Sequence, residues 1–127
     1  MNKEICVIDD DYIYQLIIEK IIRRAAIFVK STAYRNAGHA FQRFKDPEFP
    51  LPHLILLDIN MPLMDGWEFI AKLSSCRPNL RNETKIYIVS SSIATADKLK
   101  AASFKEISGF LSKPVSVQKL KEIGGKI

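Results

Sequence analysis

The chain has 127 residues, 47% of them hydrophobic, which suits one compact domain with its own core and leaves no room for a second folding unit. No apolar run approaches the roughly 18 residues of a membrane span, and no charged-then-apolar leader precedes the first strand, so a cytoplasmic protein without membrane contact is expected. A formal charge of +5 and a pI of about 9.3 permit attraction to an acidic face, but the basic residues are spread as on solvated helix faces, so direct nucleic-acid binding is not expected.

Glu4 to Ile8 sets Ile5, Val7 and Ile8 around Cys6 and reads as a buried strand that ends in Asp9-Asp10-Asp11. Three consecutive acids raise one another's pKa values unless a cation or basic side chain sits among them, so the cluster asks for a partner. Tyr12 to Ala25 follows as a helix, with Ile13, Leu16, Ile17, Ile21 and Ile22 largely on one apolar stripe. Ile27 to Thr32 is a weaker strand, and Ala37 to Phe44 a helix after the Asn36 break. The three prolines between Asp46 and Pro52 make a rigid surface connection.

The stretch from Leu54 to Gly66 organises the rest. Four aliphatic residues, Leu54 to Leu57, are too few for a helix and suit a strand covered on both faces, which delivers the single carboxylate of Asp58 at its carboxyl end. Pro62 cannot continue a ladder, so the backbone after Asp58 becomes a loop that closes at Asp65-Gly66. Gly66 to Ser75 is the next helix, with Trp67, Phe69, Ile70 and Leu73 as core. Lys85 to Val89 is a fourth strand ending in Ser90-Ser91-Ser92. Thr95 can cap a helix reaching about Ala102, Gly109 to Leu111 is a short fifth strand before Lys113-Pro114, and Ser116 can cap a last helix, Val117 to about Ile123, that Gly124-Gly125 terminates. Cys6 and Cys76, without a close pair, are expected to be buried or half-buried thiols, and His39 and His53 match no site pattern.

Strand and helix alternate throughout, which calls for an α/β fold: a doubly wound five-stranded parallel sheet of order 2-1-3-4-5, flavodoxin-like, with helices on both faces. In that order the first and third strands are neighbours at the switch point, and Asp9, Asp10 and Asp58 meet at their carboxyl ends. Hard oxygen ligands of this kind suit magnesium better than zinc. Ser90 and Lys113, from the ends of the fourth and fifth strands, add a hydroxyl and an ammonium that can bind the oxygens of a phosphoryl group carried by Asp58.

These residues carry a resemblance. Ile8-Asp9-Asp10-Asp11, Leu57-Asp58-Ile59-Asn60-Met61-Pro62, Met64-Asp65-Gly66, Val89-Ser90-Ser91 and Ser112-Lys113-Pro114, in that order, resemble the receiver domains of bacterial two-component response regulators. The resemblance implies that Asp58 accepts phosphate from a histidine kinase or histidine phosphotransfer protein. Asp10, Asp58 and the backbone carbonyl of Asn60 would bind magnesium, with Asp9 helping through water. It further implies Ser90 as switch hydroxyl, Phe110 as switch aromatic, a phosphoryl contact by Lys113, a cis Lys113-Pro114 peptide, and Asn60 and Ser92 as residues that tune dephosphorylation. Counting back from Lys113 by the usual spacing lands on Ser91, whereas the Val89-Ser90-Ser91 pattern favours Ser90.

The expected function is a stand-alone receiver spanning 1–127 with no output domain: not an enzyme beyond its own phosphorylation and dephosphorylation, and acting on a downstream protein target. The alternative is a degenerate receiver that works as a phosphorylation-independent interaction module. A small-molecule phosphohydrolase would want a second acid where Asn60 stands, and a flavin-binding relative would want a hydroxyl- and glycine-rich loop where the acids stand.

Overall fold

The computed structural model describes residues 2–91 and 95–127. Five strands, β1 (Lys3–Ile8), β2 (Phe28–Tyr34), β3 (Leu54–Asp58), β4 (Lys85–Ser90) and β5 (Ile107–Ser112), pair in parallel in the order β2-β1-β3-β4-β5. The expected doubly wound sheet is therefore the observed one. Crossovers are made by α1 (Tyr12–Ala25), α2 (Ala37–Phe44), α3 (Gly66–Cys76), the single-turn α4 (Leu80–Glu83) and α5 (Thr95–Ala101), and α6 (Val117–Gly124) closes the chain.

The strands are apolar on both sides because both sides are covered. Cys6, Ile8, Ile55, Leu57, Ile86 and Ile88 point into one core with α2, α3, α4 and Ala101 of α5. Their neighbours Ile5, Val7, Leu54, Leu56 and Val89 point the other way, against α1 and α6. All five residues of β3 are buried, including Asp58. The period-2 alternation of a strand thus serves two cores at once, which is why Leu54 to Leu57 reads as a continuous apolar run.

Helix ends follow their caps. Asn36 accepts from the Gly38 and His39 amides, Asp65 from Glu68, and Ser116 from Lys119, as side chains at such positions do. Gly66 is required at the start of α3: a Cβ there would lie 2.9 Å from the Asp58 carbonyl oxygen and from Ile59 Cα, so only glycine lets α3 pack this close to the strand end.

Several expectations are corrected. On α1, Ile13, Leu16 and Ile17 are exposed, and the buried face is Tyr14, Gln15, Ile18, Ile22 and Ala25. Because apolar residues occupy more than one side of this helix, periodicity alone does not pick the core side. Asp11 is not a third member of the acidic cluster but the cap of α1, accepting from the Tyr14 amide at 3.1 Å. Cys76, at the end of α3, is exposed rather than half-buried. The turn of α4 falls between the expected helix and the fourth strand, where no element is expected from the sequence, since four residues carry no measurable period. Strands β2 and β5 each run farther than their apolar residues suggest, because ladder pairing with β1 and β4 continues past them. Ser92 lies outside the described residues, as does the side chain of Thr95.

Candidate functional site

The register of the sheet builds the site. Asp58 pairs with Val89, Ile8 pairs with Leu57, and Ser90 pairs with Ser112, so the carboxyl ends of β1, β3, β4 and β5 finish at one level and their next residues crowd together. Asp9, Asp10 and Asp58 each offer an oxygen within 4.8 Å of the others. Asp9 is 1% exposed and Asp58 7%, while Asp10 faces solvent.

Each acid is held by its surroundings. Asp9 Oδ1 accepts from the Asp11 amide at 2.9 Å, and the Asp9 amide donates to the Tyr34 carbonyl at 3.0 Å. The buried Gln15 Nε2 donates to the carbonyls of Asp9 and Tyr34 at 3.1 and 3.2 Å and so fastens α1 to the ends of β1 and β2. Asp58 Oδ1 accepts from the Asn60 amide at 3.3 Å. Asn60 itself is exposed.

The counter-charge comes from Lys113, whose Nζ lies 2.7 Å from Asp9 Oδ2 and 3.7 Å from Asp58 Oδ2. Its amide donates to the Ser90 carbonyl at 3.0 Å, and the Lys113-Pro114 peptide is cis. The Asp58 carboxyl is pushed above its ordinary value, first by burial and then by the Asp9 charge, with Lys113 pulling the other way. A carboxylate that is hard to ionise is also more basic, and hence a better nucleophile once ionised.

The residues singled out from sequence fall as follows. Asp9, Asp10, Asp58 and Lys113 converge directly. Ser90 is buried at the end of β4, whereas Ser91 is exposed. Phe110 is half-buried on β5, opposite Ile88 and packed against the α2/α3 core. His39 and His53 are exposed and neither joins the acid cluster; His53 Nδ1 accepts from the Glu4 amide at the far end of the sheet. Sequence reasoning missed Gln15 and Tyr14, which line the inner side of the site from α1. Neither belongs to a motif, and both were masked by the wrong choice of apolar stripe.

The donor set fits a small divalent cation. All three acids supply hard oxygens at close quarters, and no described nitrogen or sulfur ligand joins the cluster. Among the described residues no helix is long and apolar enough to cross a membrane.

Known proteins resemble this chain in sequence and in fold. Residues 5–123 match the model of the response regulator receiver domain. The chemotaxis protein CheY of Thermotoga maritima is 24% identical over 127 residues, covering 100% of this chain and 98% of that protein. The transcriptional regulatory protein YesN of Bacillus subtilis is 32% identical over 86 residues, 68% of this chain but only 21% of YesN, so the chain spans about a fifth of that relative. The crystal structure of a two-component response regulator from Cytophaga hutchinsonii superposes with a TM-score of 0.89 at 25% identity, covering 98% of this chain and 96% of that one. With an acidic pocket at the switch point of a 2-1-3-4-5 sheet and a family match over nearly its whole length, the chain belongs to the response regulator receiver domain family of two-component signalling.

Proposed function

We propose that the chain is a phosphorylation-driven switch in which Asp58 accepts a phosphoryl group from a phosphohistidine on a kinase or phosphotransfer protein. The observation that carries this reading is the position of Asp58: the last residue of a wholly buried central strand, with its carboxylate clustered with Asp9 and Asp10 and 3.7 Å from the Lys113 ammonium.

In the transfer, an Asp58 carboxylate oxygen attacks phosphorus in line with the histidine nitrogen. The P–O bond forms as the P–N bond breaks, and the nitrogen keeps the bonding pair. Lys113 is the fixed positive charge for the oxygens that become more negative, and the Ser90 hydroxyl at the end of β4 is a donor to the same oxygens. A magnesium ion held by Asp10, Asp58 and the Asn60 carbonyl, with Asp9 through water, would supply further charge neutralisation there. Hydrolysis of the acyl phosphate releases inorganic phosphate and returns Asp58, at a rate that Asn60 and Ser92 set by their places in the family motif. The protein's own chemistry ends there; it is a signalling component and not an enzyme acting on other substrates.

The phosphoryl group adds close to two negative charges and three strong acceptors. Ser90 and Lys113 are drawn toward it. The half-buried Phe110 then turns into the space that Ser90 vacates, and the face made by α5, β5 and α6 changes shape for a downstream protein. The coverage of nearly the whole chemotaxis protein CheY by this chain supports a regulator that acts through contact with a protein target.

A map of amide NMR shifts on adding magnesium and beryllofluoride, a phosphoryl mimic, tests the switch. The expected changes begin at Asp9, Asp58, Ser90 and Lys113 and spread to Phe110 and α5. Changes confined to the acids would contradict the switch, and no change at all would favour the phosphorylation-independent interaction module.

A further inference from the structure

Lys113 meets an aromatic ring as well as two carboxylates. Its Nζ lies 4.5 Å from the centroid of the Tyr14 ring, while 2.7 Å from Asp9 and 3.7 Å from Asp58. That ring is itself fixed. Tyr14 is in the first turn of α1, its amide is tied to the Asp11 cap, and its side chain packs in the core shared with Leu111, Val115 and α6. The residue is 7% exposed. Among the described residues its buried hydroxyl has no partner in hydrogen-bonding geometry, although the Val115 backbone is close, and burial followed by the Asp9 charge pushes the phenol up to about 12. The ring is therefore neutral and cannot compete as an anion for the ammonium.

The carboxylates alone hold Lys113 poorly through a reaction cycle. A divalent cation held by Asp10 and Asp58, with Asp9 through water, would draw on the same carboxylates that Lys113 uses and would repel its charge. A lysine stem with four rotatable carbons is then free to swing out of the cleft. The ring face is a contact for which the metal does not compete.

We propose that Tyr14 is a positioning residue for Lys113, its ring face keeping the ammonium in the cleft while it changes partner from Asp9 to a phosphoryl group on Asp58. The inference rests on the phosphoacceptor reading for its second half only; the cradle exists in the unmodified protein.

Two readouts separate these halves. With lysine ε-carbons labelled, the Lys113 ε-methylene protons should resonate upfield of ordinary lysine in the wild type and in Tyr14→Phe, with and without magnesium, and at the ordinary position in Tyr14→Leu. Beryllofluoride affinity in magnesium should fall between about 2- and 30-fold in Tyr14→Leu, the range of a cation–π contact, and change less than about twofold in Tyr14→Phe. Magnesium affinity without fluoride should fall in neither.

An unshifted Lys113 in the wild type would overturn the proposal, as would a Tyr14→Leu protein that binds beryllofluoride like the wild type. A joint loss of magnesium and beryllofluoride binding in Tyr14→Leu would mean a collapsed site and a merely structural tyrosine. If the wild type binds magnesium but takes up no beryllofluoride, it is the phosphoacceptor reading that fails, and the ring-current shift still decides on the cradle.

Discussion

Lys113 is paired to Asp9 at 2.7 Å rather than to Asp58, from which it stands 3.7 Å away. The unmodified site thus keeps its ammonium on the more buried acid and leaves the phosphoacceptor oxygen more open. Replacing Lys113 by Met should slow phosphorylation by acetyl phosphate by on the order of 10²-fold, as removing a fixed donor to a developing charge does. Magnesium, relieved of a competing cation, should bind tighter. Stopped-flow phosphorylation and calorimetric titration of the metal check the two halves, and equal losses in both would contradict the account.

Asp58 itself costs the fold stability. Its folded-state pKa lies above the ordinary 3.8, because burial and the Asp9 charge outweigh Lys113. Below 3.8 the group is protonated folded or unfolded and costs nothing. Between 3.8 and the raised value the folded protein retains a proton that the unfolded chain has released, so stability falls as pH rises through that window and the whole cost remains above it. Asp58→Asn should therefore be more stable than the wild type at neutral pH. Thermal melts across pH should show this gap close in acid, and magnesium should narrow it at neutral pH by stabilising the wild type. A gap independent of pH would contradict the assignment.

Arg77 holds the fold from outside the site. It is buried, its Nε donates to the Phe44 carbonyl at 2.7 Å, Nη1 pairs with Glu83 at 2.9 Å, and Nη2 donates to the carbonyls of Asp46 and Phe49. It thereby satisfies the end of α2 and pins the proline-rich connection. Arg77→Ala removes a buried side chain and leaves the buried Phe44 carbonyl without its donor, and should cost about 3 kcal/mol in urea unfolding, with the phosphorylation rate of the folded fraction unchanged.

The exposed side of α1 begins beside Asp58. Tyr12, Ile13, Leu16 and Ile17 are between 44% and 63% exposed on the helix capped by Asp11, which places an apolar face within reach of any phosphodonor seated over the acids. Ile13→Asp and Leu16→Glu should lower phosphotransfer from a protein donor about tenfold or more while leaving acetyl phosphate labelling intact, and as surface changes they should move stability by less than about 0.5 kcal/mol. Equal effects on both donors would assign these residues to the chemistry instead of the contact.

Much of this was legible in the residues, and for a physical reason. A strand covered on both sides must be apolar throughout, so Leu54 to Leu57 announces itself, and the first charge after such a run, Asp58, has nowhere to sit but the strand's end. Asp9, Asp10 and Lys113 follow the same logic. What was hidden depends on which side of an element faces in. Helix α1 has apolar residues almost all round, and only contact with the sheet selects Tyr14, Gln15 and Ile18 over Ile13, Leu16 and Ile17. Arg77 was invisible because its partners are mostly backbone carbonyls, which every residue has. Ser90 and Ser91 are alike in type, and it is the ladder, through Ser112, that buries the first and exposes the second.

The central claim is that Asp58 is a phosphoacceptor, and intact mass tests it most directly. After incubation with acetyl phosphate and magnesium, the wild type should gain one phosphoryl mass, lose it on standing, and gain nothing when magnesium is chelated or when Asp58 is replaced by Ala. A folded wild type that gains no mass, or an Asp58→Ala protein that gains as much, would contradict it.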